Sequence, residues 1–320
     1  MIVTPLTEMF DLQHPIILGP MGGVAGGYLA AAVSNAGGLG MIGGGYGDRD
    51  WLMAELAIVK AKTQRPWGVG LITWSIGKGV LELVLDAKPC AVMLSFGDPR
   101  PYASAIKAAG SKLICQVQDV AGALLAQEAG ADVIVAQGTE AGGHGGGRAT
   151  LPLVPAVVDA VAPIPVVAAG GIADGRGLAA ALMLGAQGAL LGTRFYASVE
   201  ALGHDEAKQR IVHAQGDQTK RTSVFDIIRG YDWPQGFTGR ALRNQFLEQW
   251  HGSEEALTGI AEAERAAFWA AASTGDYKMA MVWAGEAVDM ISTIESAGVL
   301  VQHISAHAET QLRLADGLLR

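Results

Sequence analysis

Short apolar runs recur along the chain, each closed by glycine or polar residues. They are "PIILGPMGG" around Ile16 to Leu18, "GGLGMIGGG" at Leu39 to Ile42, "WGVGLITW" (67–74), "AVMLSFG" (91–97), "KLICQVQ" (112–118), "ADVIVAQG" (131–138), "PVVAAGG" (165–171) and "GALLGTRF" (188–195). Most of the eight are continuous rather than alternating, which is how strands buried on both faces read. Between them lie helical segments with start and stop signals. "GGYLAAAVSNAG" ends at a glycine stop, "DWLMAELAIVKAKT" opens with Asp50 as N-cap, and "DVAGALLAQEAG" and "DGRGLAAALMLG" each start at an aspartate and end at a glycine. Eight strands joined by crossovers through residue 200 predict an α/β fold, a (β/α)8 TIM barrel. An open doubly wound sheet uses the same units. The count of eight favours closure, and "GPMGGVAGG" lacks the following acid that a dinucleotide fingerprint needs.

After residue 200 the pattern changes. "DEAKQRIVHAQ", "ALRNQFLEQW" and "SEEALTGIAEAERAAFWAAAS" read as polar–apolar helices. They predict a C-terminal helical insertion, residues 201–280, covering the active-site mouth of a barrel built from residues 1–200. Residues 281–320 then return to the barrel wall at "VWAGEAVDMISTIESAG" and end in an amphipathic helix, "VQHISAHAETQLRLADGLL". His303 and His307, four apart, share a face of that helix. With no third ligand nearby they read as a solvated pair, and no metal is expected.

Composition narrows the classes. The chain has 320 residues, 50% hydrophobic and 17% charged, with a formal net charge of −8. That suits one large α/β domain or two smaller ones and argues against long disorder. No lysine/arginine run tracks a phosphate backbone, so nucleic acid is not an expected partner. Cys90 and Cys115 are too few for a disulfide scaffold and read as reduced interior residues. The N-terminus has no apolar h-region. Two uncharged stretches, Pro15 to Gly47 and Gly177 to Thr193, are broken by glycines and polar residues and read as buried helix and strand pieces rather than membrane spans. The expectation is a cytoplasmic protein, with a homodimer as a guess from size alone.

In such barrels the active site lies at the C-terminal ends of the strands. "AAGGIADGRG" and "LLGTRF" end the seventh and eighth runs, where barrels commonly bind phosphate; glycine there turns backbone N–H groups inward. The alternative is two tight βα turns. Gly22 and Gly23 in "GPMGG" would let a flat ring lie against backbone, with Met21 as a soft wall; the alternative is an ordinary strand exit. "AQGTEAGGHGGGRAT" (136–150) surrounds His144 with six glycines. It has no ligand-spaced partner, and it reads as a mobile acid–base group of near-neutral pKa overhanging the mouth. Glu140 either caps a turn or binds the histidine. Tyr46, Trp74 and Trp283 either wall the pocket or pack beneath the insertion, and Asp174 and Arg176 begin a helix.

Taken together, "GPMGG", "AQGTEAGGHGG", "AAGGIADGRGLAAALMLGAQGALLGTRF" and "VWAGEAV" resemble the nitronate monooxygenase (2-nitropropane dioxygenase) family over most of the chain. The family comprises FMN-dependent barrels with a helical insertion. It is similar to flavin-dependent enoyl-acyl-carrier-protein reductases and NADH:quinone reductases. By position the resemblance implies that Pro20, Met21 and Gly22 line the isoalloxazine ring and that Gln116 stands near the flavin. It puts Gly142, Gly143 and His144 beside the ring's reactive edge and gives Gly170, Gly171, Gly192 and Thr193 the FMN phosphate. His144 is then the catalytic residue, as base or as anchor for the nitro group. Two departures stand out. The strand-3 motif, which usually carries asparagine, has Gly70 here, moving a polar flavin contact at most to Thr73. Tyr277 and Lys278 do not match the family's tyrosine and lysine set position by position.

The resemblance implies oxidation of alkyl nitronates, or of nitroalkanes after His144 removes the α-proton, by O2 to a carbonyl compound and nitrite through a flavin semiquinone. Two other readings compete: an NAD(P)H-dependent FMN reductase with a quinone or enoyl-thioester acceptor, and a flavin-binding protein without efficient turnover.

Overall fold

A computed structural model describes residues 1–318. The eight apolar runs form β1 (Ile16–Leu18), β2 (Gly40–Gly43), β3 (Trp67–Ile72), β4 (Ala91–Ser95), β5 (Lys112–Val117), β6 (Val133–Gln137), β8 (Val166–Ala169) and β9 (Ala189–Leu191). A short strand, β7 (Gly143–Gly145), falls between β6 and β8 in sequence but outside their sheet. The eight pair in parallel in the order β1-β9-β8-β6-β5-β4-β3-β2. The ends meet where Leu39 N–H donates to Ile16 O at 2.9 Å and Leu18 N–H donates to Leu39 O at 3.0 Å. Every residue of β1, β4, β6 and β9 is buried, as expected of strands packed on both faces. The sheet is therefore a TIM barrel.

Local chemistry sets the helix ends. Asp119 Oδ1 accepts from Gly122 N–H at 2.7 Å and Asp174 Oδ1 accepts from Arg176 N–H at 2.9 Å, both as anticipated. Asp50 is not a cap: helix Arg49–Lys62 starts earlier, and Asp48 Oδ1 accepts from Trp51 N–H at 3.1 Å. Two acids two residues apart can each serve; the one whose backbone is extended takes the cap, and Asp50 sits in the first turn, where the helix's positive end favours it.

The C-terminal helix Ala297–Asp316 packs between helices Gly27–Asn35 and Gly175–Met183 and takes the place of the barrel's eighth helix. Gly175 makes this contact possible, since a Cβ there would lie 2.3 Å from Ala308 N. The last residue of the expected tail helix, Leu319, lies outside the described residues.

Within residues 201–280, four α-helices appear: Asp205–His213, Val224–Arg229, Gln245–Trp250 and Glu254–Thr274. The segment is not purely helical. β10 (Thr219–Thr222) and β11 (Thr238–Leu242) pair antiparallel, and β11 pairs in turn with β7, so a strand of the insertion is hydrogen-bonded to the loop that follows β6. A separate apolar cluster, including Phe225, Phe246 and Phe268, fills the space beneath Glu254–Thr274. Among the described residues, no helix is long and apolar enough to cross a membrane. The stretch Pro15–Gly47 resolves into β1, a helix and β2.

Candidate active site

A cavity opens at the C-terminal ends of the strands. Pro20, Met21, Gly22, Gln116, Gly142, Gly143, His144, Gly170, Gly171, Gly192 and Thr193 all stand on its wall. Each comes from the turn after a barrel strand or, for Gln116, from near the end of β5. The geometry of a closed parallel barrel collects these turns at one mouth.

One side is backbone. Gly170 and Gly171 have φ of +97° and +71°, a conformation that side chains rarely adopt. A Cβ at Gly142 would lie 2.7 Å from the backbone of Ala284 and Gly285, so this glycine lets the strand-6 loop lie against "VWAGEAV". That segment, expected to return to the barrel wall, is tied to the turns after β6 and β9 at the mouth: Glu286 N–H donates to Glu140 O at 2.9 Å and Gly285 N–H donates to Thr193 Oγ1 at 3.0 Å. Thr193 accepts there and keeps its own O–H to donate. Gly70 also has a physical account. A Cβ at that position would sit 2.4 Å from Cβ and Cγ of Pro20, so the proline ring fills the space a larger residue would need.

The other side is made of side chains. His144 is neither mobile nor overhanging. It is the central residue of β7, paired with Gly239 of β11. Gln137 Nε2 donates to its carbonyl at 3.0 Å, and its ring stacks on Trp233 with centroids 3.5 Å apart and planes 5° from parallel. Glycines flanking a histidine looked like a soft frame; pairing with a distant strand makes it rigid. His144 Nε2 lies 2.8 Å from Asp226 Oδ2, and the two side chains are only 8% and 5% exposed. Burial pushes the imidazole pKa below its ordinary 6.5, with Asp226 opposing and the charges of Arg229 and Arg221 adding to the decrease. The neutral ring prevails at pH 7. Glu140 does not touch it: this carboxylate accepts from Thr150 N–H at 3.0 Å and from Thr150 Oγ1 at 2.8 Å, and so caps the next helix.

Arg229, one turn after Asp226 on the same helix, borders the cavity within an aromatic cage. Its guanidinium lies 4.6 Å from the Tyr231 ring centroid and 5.4 Å from that of Tyr46. Those two rings stack at 3.8 Å, and Trp233 Nε1 donates to Tyr46 Oη at 3.0 Å. Tyr46 and Trp283 are on the wall; Trp74 is behind them, edge-on to Trp233. Phe96, at the end of β4, has a left-handed backbone (φ 65°) and faces Trp233 edge-on at 5.1 Å. For a bulky residue that conformation costs about 1–3 kcal/mol.

Asp226, Arg229 and Trp233 were not singled out from the sequence, whereas Phe96 lies in the strand-end stretch Ser95–Gly97 that was. The available signal was "SVFDIIRGYDW" (223–233), where an acid and a base three apart are embedded in apolar helix positions. Other named residues fall elsewhere. Thr73 is buried behind the wall and its hydroxyl has no hydrogen-bond partner. Tyr277 and Lys278 are not on the wall. Asp174 and Arg176 pair with each other at the start of a helix. Cys90 and Cys115 are free thiols, each pushed up to about 12 by burial. His303 is 3.6 Å from Glu295 and His307 bonds Gln311 at 3.2 Å.

The barrel and this two-sided cavity define a (β/α)8 enzyme with its site under an insertion. The family profile described as nitronate monooxygenase matches residues 3–75 and 72–307, and the chain belongs to that family of oxidoreductases. It is 35% identical to the nitronate monooxygenase of Neurospora crassa, with 97% of this chain and 94% of that protein covered. It is 37% identical to (3aS,4S,5R,7aS)-5-hydroxy-7a-methyl-1-oxo-octahydro-1H-indene-4-carboxyl-CoA dehydrogenase of Mycobacterium tuberculosis, covering 82% of this chain and 72% of that one. Among solved structures, FabK from Thermotoga maritima superposes with a TM-score of 0.90 at 33% identity, over 100% of both chains. Nitroalkane oxidase from Streptomyces ansochromogenes does so at 0.84 with 31% identity, over 97% and 99%.

Proposed function

We propose that the chain is an FMN-dependent oxidase of alkyl nitronates, and of nitroalkanes after deprotonation, forming a carbonyl compound and nitrite with O2. The observation that carries this is the pairing, in one cavity, of a glycine-built wall with a buried imidazole held by Asp226 at 2.8 Å.

The residues present fit FMN. Gly170, Gly171, Gly192 and the free O–H of Thr193 form a phosphate cradle of backbone and hydroxyl. Pro20, Met21, Gly22, Gly142 and Gly143 would line the ring, with Gln116 as a polar contact. When bound, FMN supplies the electron-accepting chemistry; the protein supplies placement and charge. His144 is the general base toward a neutral nitroalkane, and burial both keeps it unprotonated and excludes water from the proton transfer. A preformed nitronate needs no base, and for it His144 serves only as a binding group.

Anaerobic stopped-flow spectroscopy tests this. The purified protein should absorb near about 375 and about 450 nm, as flavoproteins do. Rapid loss of the longer-wavelength band on mixing with propyl-2-nitronate, and a flat trace with NADH, is the expected result. A second reading is favoured by the similarity to FabK and to a CoA-thioester dehydrogenase: an NAD(P)H-dependent reductase with a thioester or quinone acceptor. Rapid bleaching by NADH would select it. A colourless protein that does not take up FMN would remove both.

A further inference from the structure

The insertion supplies a buried carboxylate, Asp226, that stands between His144 and Arg229. Asp226 is buried and does not reach the cavity wall. Its Oδ2 meets His144 Nε2 at 2.8 Å; its Oδ1 has no hydrogen-bond partner and lies 3.5 Å from Arg229 Nη1. A carboxylate only accepts, so the proton in the His144–Asp226 bond belongs to Nε2. The stacked Trp233 holds the ring plane, and the backbone of β7 holds its origin. Among the described residues Nδ1 has no hydrogen-bond partner, and the ring is on the cavity wall.

We propose that Asp226 is a positioning residue for His144: it fixes the imidazole as the Nε2–H tautomer and leaves Nδ1 as the nitrogen that takes the substrate's proton. This rests on the nitroalkane reading above and names the atom that performs it. In the step, the α-carbon–hydrogen bond of the nitroalkane breaks and its proton bonds to Nδ1. The electron pair stays on the substrate, delocalised onto the nitro oxygens as the nitronate. The imidazolium so formed donates Nε2–H to Asp226, which is already in place, so no group reorganises as the charge develops. The charged groups facing the ring are Asp226 and Arg229 from helix Val224–Arg229 and Arg221 from β10; Trp233, Trp283 and Phe96 bring none. Arg229 balances the buried carboxylate before the transfer, and Asp226 balances the imidazolium after it.

The test combines tautomer and rate. Holoprotein labelled with 15N-histidine, with the His144 signal identified by its absence in His144→Gln, should read Nε2–H at pH 8. Asp226→Asn offers an amide donor to Nε2 and should move the signal toward Nδ1–H. It should lower kcat/KM on nitroethane by about 10²-fold or more and lower that on preformed ethyl nitronate by a clearly smaller factor. Asp226→Glu should restore the Nε2–H signal and part of the nitroethane rate. An Nδ1–H signal in the unmodified protein overturns the proposal, and so does equal loss on both substrates with an unchanged tautomer. If Asp226→Asn does not fold, the unmodified and Asp226→Glu spectra decide it. If the holoprotein turns over neither substrate, the functional reading fails while the spectra still report which nitrogen Asp226 holds.

Discussion

The two walls of the cavity are built on different principles. Along β8 and β9 the wall is backbone: Gly170 and Gly171 in left-handed conformations, Gly192, and a threonine whose hydroxyl is anchored by Gly285. Its parts are close in sequence, and each works because a side chain is missing. Opposite stand His144, Arg229, Tyr46 and Trp233, gathered from the β2 turn, the β6 loop and the insertion, with Asp226 behind His144. Each of these works because a side chain is present and pressed against others. The difference implies that the first wall fails when anything is added and the second when anything is removed.

Removal at the side-chain wall should have the largest effect. His144→Ala is expected to lower kcat/KM on neutral nitroalkane by about 10²–10⁴-fold, the usual contribution of a general base. Steady-state rates on nitroethane and on preformed nitronate read it. An equal loss on both substrates would make His144 a binding group, and no loss on either would detach it from the chemistry.

Addition at the backbone wall comes next. Gly170→Ala places a methyl 2.8 Å from Gly138 O at a φ of +97°. The strain, about 1–3 kcal/mol, should appear as weaker FMN binding, by about tenfold or more, in a fluorescence titration of apoprotein. Retained affinity would mean that the turn is only a tight connection and not a cradle.

Trp233→Ala sharpens the comparison through pH. Burial is the largest cause of the lowered His144 pKa, so exposing the ring should raise that pKa toward 6.5. His144 works unprotonated, so the acid limb of the nitroalkane pH profile should move to higher pH. The same sign governs stability. With the folded pKa below the unfolded one, the histidine's contribution is complete above pH 6.5 and is lost as pH falls toward the lowered folded value. Trp233→Ala should weaken this acid sensitivity in urea titrations at pH 5 and 7.

The smallest effect is expected for Tyr46→Phe. It removes the acceptor for Trp233 Nε1 and little else, for a loss of about 1 kcal/mol. Calorimetry should record a melting temperature lower by about 2 °C, with the cofactor retained.

The barrel was legible in the sequence because buried parallel strands are written as continuous apolar runs, and all eight appear where those runs lie. The glycine turns were legible for the same local reason, and the eleven residues that the family resemblance pointed to line one cavity. Local signals misled where two solutions were chemically equal, as with Asp48 and Asp50, and where a short segment took its structure from a remote partner. "GGHGG" has no strand signal of its own. It becomes β7 only because β11, about 95 residues later, supplies the hydrogen bonds: Arg240 pairs with Gly143 and Thr238 with Gly145. The segment 282–298 leads into the helix Ala297–Asp316 on the barrel, but its first residues also border the mouth, held there by Glu140 and Thr193.

The sequence by itself determined the barrel, the glycine turns and the presence of a histidine after the sixth run, since periodicity and missing side chains are properties of consecutive residues. Only the tertiary structure decided what that histidine is. Its rigidity, its neutrality and its partner depend on Asp226, Trp233 and β11, which are brought to it by an antiparallel pairing and an apolar cluster closed over long loops. Burial and charge are properties of surroundings, and no residue carries its surroundings in its own stretch of chain.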